Sequence, residues 1–164
     1  MRKTALLVAA ALVLPGCGLQ PLYGGGGSGY VASSLAQVDV APIPGRAGWL
    51  MRAALRDRLN AAGTGAAARY RLDVRLDDQL ESLGILSDDT ISRERRILRA
   101  RYQLVDIATG EILLDATTGS DAGIDVVSSD YATIVAEQRA LENLAEEVAE
   151  RMVTQLALTL RQQP

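Results

Sequence analysis

Two stretches of this chain alternate strictly between apolar and polar residues, and a period of two confines each to a β-strand with one apolar and one wet face. In the first, Tyr70, Leu72, Val74 and Leu76 alternate with Arg69, Arg71, Asp73, Arg75 and Asp77. In the second, running from about Ile91 to Ile107, Leu98, Ala100, Tyr102 and Leu104 point one way. Arg95, Ile97, Arg99, Arg101 and Gln103 point the other. A one-sided sheet must hide its apolar face under another layer.

The chain supplies that layer as helices. From about Gly48 to Ala62, Met51, Leu55, Leu59 and Ala62 share a stripe, and Gly63 is a natural stop. A longer helix, capped by Ser129 or Asp130, reaches about Leu160 with the stripe Ile134, Leu141, Ala145, Val148, Met152, Leu156 and Leu160. Two further strands are expected. One spans 35–43, with Val38 and Val40 on one face, and is ended by Pro42 and Pro44. The other spans 111–118, behind a hairpin turn at Asp106–Gly110. Loops are expected over 81–90 and over the Gly/Ser/Asp-rich stretch 119–129. The order β-α-β-β-β-α makes residues 35–164 an α+β domain, a two-layer sandwich with both helices on one face of a four-stranded sheet.

The chemistry available is narrow. The chain has no His, a single Cys at position 17, and no Lys after Lys3. Ser-His, Cys-His and Ser-Lys nucleophiles, imidazole metal sites and lysine Schiff bases are therefore all missing. Only carboxylates could catalyse, and neighbouring acids such as Asp77 and Asp78 on a strand point to opposite faces. No enzyme, no cofactor and no metal is the expectation. With 17 basic against 20 acidic residues, nucleic acid is not an expected partner.

At the N-terminus, Arg2 and Lys3 precede an apolar run from Ala5 to Leu14, the layout of a secretory signal. The run is too short to cross a bilayer, which takes roughly 20 residues. It ends at Leu14-Pro15-Gly16-Cys17, which resembles the lipobox of bacterial lipoproteins. The resemblance implies a signal peptide over 1–16, lipidation of Cys17 and a membrane-anchored mature chain. Residues 17–34, with the run Gly24-Gly25-Gly26-Gly27-Ser28-Gly29, read as a tether with an r.m.s. span of about 20 Å. Gly18 after the cysteine favours the outer membrane.

On the uncovered sheet face, pairing the two long strands brings Arg69, Arg71 and Arg75 near Arg95, Arg99 and Arg101. Asp73 and Asp77 alone are interleaved with them, and Arg93 and Arg96, beside the Asp88-Asp89 loop, extend the set. Planar guanidinium forks suit phosphates, carboxylates or a polar protein wall. These six arginines are the candidate ligand- or partner-binding residues.

The segment Gly16-Cys17-Gly18-Leu19-Gln20-Pro21-Leu22-Tyr23-Gly24 closely resembles the GCGFxPLYG start of alphaproteobacterial LPS-assembly lipoproteins of the LptE family, with Leu19 in place of Phe. The remainder is similar in layout, down to Ser129-Asp130-Tyr131-Ala132 opening a long acidic helix. The resemblance implies a non-enzymatic lipoprotein of the cell outer membrane, facing the periplasm or seated in the lumen of the β-barrel LptD. There it would act as a plug, assist lipopolysaccharide insertion and bind lipopolysaccharide. A polar barrel lumen is compatible with a charged sheet face. An auxiliary lipoprotein subunit of an ABC-type lipid transporter is the alternative reading of the same lipobox and small α+β body.

Overall fold

The computed structural model describes residues 29–60, 67–85, 91–127 and 129–162. The signal run, Cys17, Gly63 and the Asp88-Asp89 pair lie outside the described residues. The elements are α1 (Tyr30–Leu35), β1 (Val38–Val40), α2 (Gly45–Leu59), β2 (Tyr70–Ile85), β3 (Ile91–Asp106), β4 (Ile112–Asp125) and α3 (Asp130–Arg161). The strands form one sheet in the order β1-β2-β3-β4. β1 runs parallel to β2, a pairing that needs the crossover α2 supplies; the other pairs are antiparallel.

The alternation places its side chains as expected. Tyr70, Leu72, Val74, Leu98, Ala100, Tyr102 and Leu104 are buried beneath the helices, with Leu72, Leu98 and Leu104 fully enclosed. From above, α2 contributes Met51, Leu55 and Leu59, and α3 contributes Leu141, Leu144, Ala145, Val148, Met152, Leu156 and Leu160. α3 lies over β4 and β3 and packs against α2, so one apolar layer seals one side of the sheet.

The β3–β4 turn holds itself. Asp106 accepts the backbone N–H groups of Ala108 at 2.8 Å and Thr109 at 3.2 Å, and Gly110 takes a φ of 72°. A side chain at that φ would be strained.

Several expectations are corrected. Residues 30–35 form a short helix against α3 with Ser34 and Leu35 buried, so the folded body begins ahead of position 35 and strand pairing begins only at Val38. The Gln37 carbonyl accepts both the Arg69 and Tyr70 amides, which fixes that starting point. β2 continues to Ile85, and β4 continues through Gly119 to Asp125. Glycine there marks close approach rather than a loop: a Cβ on Gly119 would lie 3.0 Å from the Leu98 carbonyl oxygen and from Arg99 Cγ. On α3, Ile134 is 50% exposed because it precedes the buried part of the stripe, which begins at Ala140, and the Ser129 side chain makes no capping hydrogen bond.

α2 begins at Gly45 rather than Gly48, because the chain leaves Pro44 through a positive φ of 80° at Gly45. Gly48 then packs against the preceding turn, where a Cβ would sit 2.5 Å from the Ile43 carbonyl oxygen and 2.8 Å from its Cγ2. Helix propensity alone would make Gly48→Ala stabilising by about 1 kcal/mol. The backbone clash reverses the sign, and urea denaturation should show a loss of about 1–3 kcal/mol.

Candidate functional site: the open sheet face

The face turned away from the helices is built by strand parity. From β2 it takes Arg71, Asp73, Arg75, Asp77, Gln79 and Glu81; from β3, Arg93, Arg95, Ile97, Arg99, Arg101 and Gln103. The extended β4 adds Asp115, Thr117, Gly119, Asp121, Gly123 and Asp125.

That third strand changes the electrostatics. Arg93 pairs with Asp125, Arg95 with Asp121 and Arg101 with Asp115, each at 3.0 Å, while Arg71 is held by Asp73 at 3.0 Å. Gln103 Nε2 donates to Asp115 as well, at 2.8 Å. The expectation of six arginines facing two acids is therefore overturned: Asp115 of the expected fourth strand, and Asp121 and Asp125 from a stretch read as loop, lie on the same face. The signal that finds them is the alternation Thr117, Gly119, Asp121, Gly123, Asp125, which keeps period two through the glycines.

Two of the pairs favour the ionised form of their aspartate. The Arg101 hydrogen bond, then that of Gln103, lowers the Asp115 carboxyl below its ordinary value, and Arg95 does the same for Asp121. A carboxyl lowered on folding adds stability above its unfolded pKa, and this contribution fades as pH falls through the folded value. At these exposed positions the contribution is small.

Two arginines of the face stand apart. Arg75 and Arg99 are exposed and make no ion pair among the described residues. Arg75 sits directly across from Arg101, an unfavourable like-charge pairing, in a shallow depression with Pro42, Asp73 and Gln103. Arg99 lines a second depression beside Ile97, Thr117 and Gly119. Across from Arg99 is Asp77, which accepts two hydrogen bonds from Gln79 instead. These two forks have their full donor sets turned to solvent.

The other candidates divide. Arg69 stands at the end of the sheet, its Nε 3.7 Å from Asp106 and its guanidinium 5.1 Å above the Tyr70 ring, where it braces the β3–β4 turn. Arg93 does extend the open face. Arg96 does not: three residues from Arg93, it falls on the helix-covered side. There it makes a bidentate pair with Asp78 at 2.8 and 2.7 Å, and Nη1 donates to the Glu137 carbonyl of α3. Asp77 and Asp78 thus serve opposite faces and do not converge. Among the described residues no group of three or more acidic, His or Cys side chains is placed to hold a metal ion, and no helix is long and apolar enough to cross a membrane.

The fold is shared with bacterial lipoproteins of known structure. The chain is similar to the crystal structure of a protein described as a lipoprotein from Caulobacter crescentus CB15, with 27% identity and a TM-score of 0.68 over 81% of this chain and 97% of that one. It shares its fold with rare lipoprotein B from Shewanella oneidensis (12% identity, TM-score 0.59, 74% of this chain and 92% of that one). It likewise shares its fold with a minor lipoprotein from Acinetobacter baumannii (14% identity, TM-score 0.60, 75% and 92%). No curated protein sequence matches the chain. The LptE lipopolysaccharide-assembly family model matches residues 35–156, and the chain belongs to that family.

Proposed function

We propose that this protein is an outer-membrane lipoprotein that complexes with the LptD β-barrel, serves as its plug and assembly partner, and assists insertion of lipopolysaccharide into the outer leaflet. Residues 1–16 are its signal peptide, and lipid on Cys17 is its anchor. The role is non-catalytic. The observation that carries the reading is the open sheet face of a member of the LptE family: polar but for Ile97, stiffened by cross-strand ion pairs, with Arg75 and Arg99 in no ion pair among the described residues. A polar wall or lumen accepts such a face without desolvating apolar surface. The two free forks match phosphate or carboxylate groups of a lipopolysaccharide. The paired arginines Arg71, Arg95 and Arg101 set the spacing of those forks.

The partner decides the matter. Affinity isolation of the full-length protein from membranes in mild detergent is expected to bring down LptD. Recovery of a permease and its substrate-binding subunit, with no barrel, would instead assign the chain to ABC-type lipid transport.

A further inference from the structure

The outward surface of α2 has a chemistry that the open sheet face does not use. The helix buries Gly48, Met51, Ala54, Leu55 and Leu59. At 100° per residue, Arg46, Ala53 and Asp57 point most directly away from that stripe, with Trp49 and Arg56 beside them and Arg52 at the edge of the face. Trp49, the chain's only tryptophan, is 68% exposed. Arg56 makes no ion pair among the described residues, and the nearest carboxylate to Arg46 is Glu142 of α3 at 3.9 Å. Arg52 Nε donates to the Val40 carbonyl, and Asp57 is the helix's one acid. A protein of formal net charge −3 therefore carries a basic helix with an indole standing in the middle of it.

We infer that this face of α2 is a contact surface for a bilayer containing anionic phospholipid. An indole has an apolar body and a polar N–H, and it settles at the headgroup level of membranes. Arginines beside it draw the helix to phosphodiester charge. The neighbouring outer face of α3 bears Glu142, Glu146, Glu147 and Glu150, which an anionic surface repels, so the contact is confined to α2. The inference rests on the anchoring at Cys17 proposed above. Between Cys17 and Gly29 the chain can span at most about 43 Å, so a weak attraction acts at high local concentration.

Because Trp49 is the only tryptophan, its emission reports this contact directly. The full-length lipidated protein is reconstituted in vesicles containing brominated phosphatidylglycerol, and separately in vesicles of brominated phosphatidylcholine alone. Blue-shifted, quenched emission is expected in the anionic vesicles, with quenching at least threefold weaker in the zwitterionic ones. Arg46→Glu with Arg56→Glu should bring the anionic case down to the zwitterionic level. If the protein withstands a high-salt wash while Trp49 stays unshifted and unquenched, the α2 contact is wrong and the anchor stands. If the protein washes off, the anchoring fails and takes the contact with it. A shift that appears only on adding purified barrel would assign Trp49 to a protein wall and overturn the lipid contact.

Discussion

Leu98→Ala is expected to lose about 2–5 kcal/mol in equilibrium denaturation, whereas Arg99→Ala, one residue on, should stay within about 0.5 kcal/mol of the parent. Leu98 is fully enclosed in the core beneath the helix layer. Removing three carbons there leaves a cavity that close-packed neighbours fill only in part. Arg99 projects from the other face of the same strand into solvent, with no ion-pair partner among the described residues to lose. The size of the contrast between adjacent residues measures how completely the two faces differ. Equal losses at the two positions would mean that the helices do not seal one side.

Reversing Arg75 and Arg99 together should separate binding from folding. Each guanidinium that donates to a phosphate or carboxylate contributes about 1.5–3 kcal/mol through charge-assisted hydrogen bonds, less where water screens it. Loss of both is therefore expected to weaken lipopolysaccharide binding by roughly tenfold to a hundredfold, as read by titration calorimetry. Stability should change little. Glu at position 75 would face Arg101 across the ladder, a gain of about 0.2–1 kcal/mol, while Glu at position 99 would face Asp77 at a cost of about the same size. Arg95 and Arg101 are poorer test positions, since reversing either would also release Asp121 or Asp115. Undiminished binding by the folded double variant would remove these two forks from the site.

The sequence revealed the layers through periodicity. Tyr70 to Leu76 and Leu98 to Leu104 alternate too regularly for a helix, and the buried stripe of α3 from Leu141 to Leu160 keeps helical spacing over its whole length. Composition misled where it competed with periodicity. Gly119, Ser120, Asp121 and Gly123 are residues of turns, yet each keeps its place in the β4 ladder, and at Gly119 glycine is what the approach to Leu98 and Arg99 demands. That error removed Asp121 and Asp125 from the open face and, with Asp115 of the expected strand left uncounted, made the face look far more cationic than it is. Arg96 was legible by its even position beside Leu98, and its pairing with Asp78 follows from the register. α1 was not legible: six residues carry too little pattern, and its helical form depends on packing against α3. The lone standing of Arg75 and Arg99 follows only once every carboxylate on the face has been placed.

The most direct test of a working, charged sheet face is photo-crosslinking in living cells, with the reactive residue placed at position 75 or 117, both exposed on that face. Adducts with LptD or with lipopolysaccharide are expected from both positions. Silence at both, with LptD captured only from Glu150 on the outer side of α3, would show that the partner meets the helices and that the charged strands merely face water.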